Sequence, residues 1–302
     1  MPIENLDKYK EAAEYLDTSV GKVAYWHHQS TSAEQTIVFV HGFPSAAWDW
    51  HHQWEHCKAN YNLVAMDMLG FGLSDKPNKH SYSLVEQAEL FKQLLNHLQV
   101  GECHILAHDY GDSVAQHLLY LSETEQLGVK VHSICFLNGG LFSESHRPLF
   151  MQKFLKSSLG PLLVPLMSKR SLEKSFSKIF GKSTPPSSND IDVIWQLLQY
   201  KQGSRVMPNL LGYIDERKAW RERWLSAMQN TAIPLKLING RLDPISGEHM
   251  TLRYRELIPD PDVSLIEAGH YPQLELPDTV SHLYLEFVEQ CSTILGRDMS
   301  LG

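Results

Sequence analysis

Six short apolar runs rich in β-branched residues, at 36–40, 63–66, 104–107, 134–137, 235–238 and 263–266, alternate with segments whose leucines recur at helical spacing. Strands that alternate with helices pair in parallel, because the chain must cross over the sheet before it can run alongside its predecessor in the same direction. The expected fold class is therefore α/β, a mostly parallel sheet flanked by helices. Between the second and third runs, Ser83-Leu84-Val85-Glu86 reads as a capping box, whose side chains satisfy the first N–H groups of a helix. Leu90, Leu94, Leu95 and Leu98 follow on one side of that helix and would cover one face of the sheet.

The alternation stops after Asn138-Gly139-Gly140 and resumes at Ile233-Pro234, leaving about ninety residues of helical character around the polar loop at 183–189. Two parts are expected: a core made of residues 1–139 and 231–302, and an inserted helical cap, or lid, of residues 140–230. Within the cap, Lys169, Arg170, Lys174, Lys178 and Lys182 are spaced as the solvated face of a helix usually is.

A chain of 302 residues with 43% hydrophobic and 21% charged content is long enough for one large α/β domain with an insertion. Its formal charge of −8 argues against nucleic acid or an anionic membrane as partner and favours a small apolar substrate. Cys57, Cys103, Cys135 and Cys291 are widely spaced, with no CxxC pair, which fits a reducing compartment. The N-terminus lacks the basic start and apolar stretch of a signal peptide, and no run of eighteen apolar residues occurs. A cytoplasmic monomer or homodimer is expected. His52 and His56 stand four apart, a spacing that could hold a metal on a helix, yet no third ligand accompanies them. No metal or cofactor is expected.

At the end of the third run, Ala107-His108-Asp109-Tyr110-Gly111 sets small residues on either side of a sharp strand-to-helix turn, with a carboxylate in the exposed central position. An aspartate has a reference pKa of about 3.9, so at neutral pH it is already an anion and needs no base to attack carbon. Attack at a saturated carbon leaves an alkyl ester on the protein, and hydrolysis of that ester requires an activated water. The alternative for Asp109 is a helix cap, a common use of aspartate at this kind of position.

Other segments supply what the second step needs. His41-Gly42-Phe43-Pro44 follows the first run directly, where the N–H of Phe43 and the N–H of Tyr110 could together form an oxyanion hole. A simple Gly-Phe-Pro turn is the alternative. Asn239-Gly240-Arg241-Leu242-Asp243-Pro244 and Glu267-Ala268-Gly269-His270-Tyr271-Pro272 follow the last two runs. The order nucleophile Asp109, acid Asp243, histidine His270 is one in which the acid fixes the imidazole and the imidazole activates water.

With these residues in place, the chain resembles the α/β-hydrolases that use an aspartate nucleophile, the epoxide hydrolase and haloalkane dehalogenase group, over about residues 20–290. Leu69-Gly70-Phe71-Gly72-Leu73-Ser74-Asp75-Lys76-Pro77 is similar to that group's G-x-G-x-S-D-K-P stretch, and His108-Asp109 to the elbow of epoxide hydrolases. The resemblance implies an α/β-hydrolase fold with an inserted cap and places His41 and His108 beside the substrate. Dehalogenases of the group usually carry tryptophan after the nucleophile, and many carry asparagine in the His-Gly loop. Here those positions are Tyr110 and Phe43, which favours epoxides over halides.

Epoxide opening needs a proton donor for the alkoxide. Epoxide hydrolases of the group place two cap tyrosines there, and Leu211-Gly212-Tyr213-Ile214-Asp215 resembles the stretch around the second, making Tyr213 the candidate acid unless it only packs the cap. The first tyrosine falls at Ile194 or Trp195. An indole N–H donates a hydrogen bond but supplies no proton, so Trp195 would contact the substrate without acting as an acid. Asp112 is expected to cap the helix after the elbow. The resulting expectation is an epoxide-opening hydrolase. A dehalogenase-like or lactone-acting enzyme and a homologue that binds without turnover remain as alternatives.

Overall fold

The computed structural model describes residues 5–31, 33–145, 147, 154–157 and 160–299. Residues 146, 148–153 and 158–159 of the expected cap, and residues 1–4 of the N-terminus read above, lie outside them.

Eight strands form one sheet in the order β1-β2-β4-β3-β5-β6-β7-β8. They are β1 (Glu14–Thr18), β2 (Gly21–His28), β3 (Thr36–Val40), β4 (Asn62–Met66), β5 (Glu102–His108), β6 (Lys130–Leu137), β7 (Leu235–Gly240) and β8 (Asp262–Ile266). From β4 to β8 every pairing is parallel, while β1 and β2 form an antiparallel hairpin at one edge. All six apolar runs of the sequence become strands. The edge hairpin does not announce itself, because β1 is largely exposed and reads as polar.

The central strands are mostly apolar on both sides because both faces of the sheet are covered, and where β5 and β6 bury polar groups these pair, His104 with Ser133 at 2.8 Å. Side chains alternate between the two layers: Val38, Val40, Ile105 and Ala107 join one core, and Ile37, Phe39 and Leu106 join the other. Helices α2 (Leu84–His97) and α3 (Tyr110–Glu123) cover the first face. Helices α1 (His51–Cys57) and α7 (Pro277–Met299) cover the second. Cys57, Cys103, Cys135 and Cys291 are all buried and free.

The segment between β6 and β7 contributes helices α4 (Lys169–Ile179), α5 (Ser188–Gln199) and α6 (Tyr213–Asn230). Helix α6 packs its Trp224, Leu225 and Met228 into the first core. The expected capping box at α2 forms differently from the sequence pattern. Ser83 accepts from Val85 and Glu86 N–H, but the Glu86 carboxylate turns to His80, 2.6 Å away. Glu216 of α6 takes its place, accepting from Leu84 N–H at 2.7 Å and Val85 N–H at 3.3 Å. A carboxylate at a helix N-terminus is favoured by the helix dipole, so this contact fastens α6 to the core.

His56 lies 3.2 Å from Asp278, and His52 stacks on His51. Among the described residues no helix is long and apolar enough to cross a membrane.

Candidate active site

The strand order reverses at β3, which pairs with both β4 and β5, and functional groups collect beyond the carboxyl ends of strands at such a point. The loops after β3, β5, β6, β7 and β8 bring Phe43, Asp109, Asn138, Asp243 and His270 together.

Asp109 occupies the turn from β5 into α3 with φ 49° and ψ −103°, a backbone geometry costly for a residue with a Cβ. Glycines make room for it. A Cβ on Gly111 would lie 2.3 Å from the Val40 carbonyl oxygen, and one on Gly42 would lie 2.6 Å from the His108 ring. The N–H of Phe43 donates to Asp109 Oδ2 at 3.1 Å. The carboxylate is almost fully buried, and its Oδ1 stands 4.0 Å from Nε2 of His270.

His270 Nδ1 lies 2.8 Å from Asp243 Oδ2. Asp243 also accepts from the N–H groups of Ile245 and Ser246, from the Ser246 hydroxyl and from the Asn138 amide, at 2.7 to 3.1 Å. Burial opposes its ionisation, yet His270 and these donors hold its carboxyl below the usual value. For His270, burial disfavours the cation, but Asp243 and Asp109 outweigh it and raise the imidazole to about 9. At neutral pH the cluster is thus an imidazolium between two carboxylates.

A second cation completes it. Arg217 of α6 is buried, donates from Nε to Ser113 Oγ at 2.7 Å and from Nη2 to the Asp109 carbonyl at 2.8 Å, and sets Nη2 3.8 Å from Asp109 Oδ1. The sequence reading misses it. The available signal is its spacing: four residues after Tyr213 on a helix, it shares a face with the candidate acid. Its guanidinium does lie over the Tyr213 ring, 4.5 Å from the centroid. Tyr213 is fully buried, with ring centroids 5.2 Å from Tyr110 and 6.1 Å from Phe43. Burial, reinforced by Asp109, raises its phenol, which stays protonated.

Three expected substrate contacts take other positions. His41 is fully buried, donating from Nδ1 to the Gly42 carbonyl at 2.8 Å and accepting at Nε2 from Met68 N–H at 3.0 Å. His108 is kept neutral by burial and by the His270 charge, its pKa driven to about 3, and its Nε2–H donates to the His270 carbonyl at 2.7 Å. Both rings align loops, although the Nδ1 of His108 is buried without a hydrogen-bond partner among the described residues. Trp195 is half-buried on the flank of α5 and is not among the residues lining the cavity. Ile194, the other position considered, joins the apolar cluster beside the cavity and carries no proton to give.

Asp112, expected to cap α3, points instead to the neighbouring strand and accepts from Leu137 N–H at 3.4 Å. Burial and the charge of Asp109 raise its carboxyl well above the usual range. The glycine-rich stretch 69–77 is a scaffold. A Cβ on Gly72 would collide with the Asp67 carboxylate, and the buried Lys76 ammonium donates to the carbonyls of Phe71, Gly72 and Ser74.

Above the cluster lies a cavity of about 250 Å³ whose walls include Phe43, Leu172, Phe176, Ile179, Met207, Ile245 and, at its polar end, His270. Leu172, Phe176 and Ile179 recur at i, i+4 and i+7 on α4 and turn that helix's apolar side inward. Tyr271 stacks on Phe176 and Phe180 and donates its hydroxyl to the Phe43 carbonyl at 3.1 Å, tying the cap to the loop after β3.

A covered apolar cavity over a carboxylate, imidazole and carboxylate on strand-end loops defines a hydrolase of α/β fold. The chain belongs to the alpha/beta hydrolase fold family, whose model matches residues 35–277. It is 38% identical over 290 residues to the mesoderm-specific transcript protein of Mus musculus, covering 93% of this chain and 84% of that one. The haloalkane dehalogenase DatA from Agrobacterium tumefaciens C58 superposes with a TM-score of 0.76 at 19% identity, covering 92% of this chain and 96% of that chain. Epoxide hydrolase CorEH superposes with a TM-score of 0.75 at 17% identity, covering 92% and 98%. At these identities the two structures share the fold.

Proposed function

We propose that the chain is a hydrolase acting through an ester on Asp109 and that its substrates are apolar epoxides, opened to vicinal diols. One observation carries this reading: an aspartate carboxyl, in place of a hydroxyl or thiol, stands at the elbow with His270 4.0 Å away and Asp243 behind it. A carboxylate attacks saturated carbon without a base, so the histidine is needed only for the second step.

In the first step an Asp109 oxygen bonds to an epoxide carbon as the ring C–O bond breaks, and Tyr213 protonates the departing oxygen. Forming the ester removes the Asp109 charge that helps to hold the proton on His270. The imidazole then releases that proton, which restores the Tyr213 phenol, and accepts another from water. The resulting hydroxide adds to the ester carbonyl, and the N–H groups of Phe43 and Tyr110 hold the oxyanion. Collapse breaks the bond to the alkoxide, which takes the proton of the added hydroxyl, so the diol leaves and Asp109 returns as a carboxylate holding one water-derived oxygen. Asp243 keeps the imidazole oriented throughout.

The apolar cavity suits an uncharged substrate. The halide reading needs N–H donors around a leaving anion; Trp195, Tyr213 and Asp109 are all absent from the cavity lining, and what favours the epoxide reading is that Tyr213 packs at the elbow, with ring centroids 5.2 Å from Tyr110 and 6.1 Å from Phe43. A single turnover of an aliphatic or aryl epoxide in heavy-oxygen water should place the label on the peptide containing Asp109 and none in the first product. Label found directly in product, with none on Asp109, would eliminate the ester route.

A further inference from the structure

The rim of the cavity is unusual for a water-soluble surface. Phe154, Leu162 and Leu166 are 38%, 71% and 74% exposed and fall within thirteen residues of one another. Leu162 lies in the short helix Gly160–Leu163 and Leu166 ends the 3-10 turn Val164–Leu166 that follows it. Phe154 and Leu166 also line the cavity that ends at His270. Outer rim and inner wall are therefore one continuous apolar surface, which a protein in water keeps only when something is to cover it.

Charge identifies what covers it. Residues 154–187 contain Lys156, Lys169, Arg170, Lys174, Lys178 and Lys182 against a single acid, Glu173, a local balance of +5 in a chain of −8. Lys156 pairs with Asp215 and Lys169 with Asp192, but Arg170, Lys174, Lys178 and Lys182 are exposed and have no ion pair among the described residues. Helix α4 turns Leu172, Phe176 and Ile179 to the cavity and its cations outward. The acidity of the whole chain, which argues against an anionic membrane, is an average from which this face departs. Exposed leucine and phenylalanine ringed by lysine are the two attractions by which a protein lies on an anionic lipid interface.

We propose that this face docks on an anionic phospholipid bilayer, with Phe154, Leu162 and Leu166 entering the acyl boundary and the α4 cations contacting the headgroups. The cavity then opens toward the lipid, and an apolar substrate dissolved there reaches His270 without crossing water. That last step rests on the function proposed above, whereas the docking does not.

The test is co-sedimentation of the full chain with phosphatidylcholine vesicles and with vesicles containing about one-third phosphatidylserine, at low and at high salt. Binding should require phosphatidylserine and weaken with salt, since the Debye length shrinks from about 10 Å at 0.1 M to about 3 Å at 1 M. Each charge reversal, Lys174→Glu or Lys178→Glu, should weaken binding by about fivefold or more, and Leu162→Gln by about tenfold. None of the three should change Asp109 esterification by a water-soluble epoxide in free solution. Failure to bind phosphatidylserine vesicles, equal binding by wild type and variants, or a dimer in sedimentation velocity that Leu162→Gln dissociates would each overturn the proposal. Because binding is read without turnover, failure of the epoxide reaction leaves this result intact.

Discussion

The substitution Asp109→Asn reproduces the electrostatics of the esterified state, because an amide, like an ester, is neutral and nearly isosteric with the carboxylate. Its effect on His270 can be bounded. Two unit charges 4.0 Å apart, the separation of Asp109 Oδ1 and His270 Nε2, interact by about 4 kcal/mol at an effective dielectric near 20. At about 1.36 kcal/mol per pH unit, this corresponds to at most about three units. Arg217, 3.8 Å from the same oxygen, offsets part of that field. The imidazole should therefore fall from about 9 by about one to three pH units.

Histidine ring nitrogens report their own protonation in long-range proton–nitrogen spectra, and among sixteen histidines the His270 signal is assigned by its loss in His270→Gln. His108, driven to about 3, does not titrate in the same window. A His270 pKa that stays within half a unit of its wild-type value in Asp109→Asn would refute the reasoning, because the ester could not then turn the imidazolium into a base. A wild-type value at or below that of a free histidine would refute it equally.

Two further substitutions probe the charges around the elbow. Arg217→Met removes the donor to the Asp109 backbone carbonyl and the Ser113 hydroxyl and the cation 3.8 Å from the Asp109 carboxylate, and should lower the free energy of urea unfolding by about 3 to 5 kcal/mol. Adding Asp109→Asn should recover part of that loss, and strictly additive effects would mean that the two charges do not interact. Asp112 binds its proton more tightly folded than unfolded, so its contribution to stability is complete below about pH 3.8 and declines as pH rises toward its elevated native value. Asp112→Asn should remove that decline, at about 1.4 kcal/mol per pH unit. Relative to wild type, the variant should gain stability as pH rises above the ordinary carboxylate value, and parallel stability–pH curves would show that Asp112 is ionised in the fold.

The fold was legible where physical chemistry acts locally. The interior strands had to be mostly apolar on both sides, and the same continuous runs mark them in the sequence. Strand β1 was invisible because an edge strand meets water on its open side, and Glu14, Asp17 and Thr18 satisfy that role as well as any loop would. The order Asp109, Asp243, His270 was readable because strand-end loops impose it. The rotation of a ring was not readable. His41 and His108 flank the elbow and the oxyanion loop, yet backbone groups from distant loops, those of Met68 and His270, claim a nitrogen of each. Glu216 and Arg217 escaped for the same reason, since their partners lie more than a hundred residues away in α2 and at the elbow.

These long-range contacts matter because they set the charge balance of a buried site. Asp109 and Asp243 face Arg217 and the His270 imidazolium, while burial and Asp109 push the Asp112 carboxyl well above its usual range and so favour its neutral form. On the proposed route an ester on Asp109 moves the negative charge to the Tyr213 phenolate, in a medium that screens charge poorly. Arginine retains its proton under all ordinary conditions, so the group able to reprotonate that phenolate is His270. On the proposed ester route, the imidazole would become a base only once an ester exists to be hydrolysed. Arg217 contributes to this timing: with a neutral residue there the fields of Asp109 and Asp243 would act on His270 without that opposing cation, and the imidazole would hold its proton more tightly.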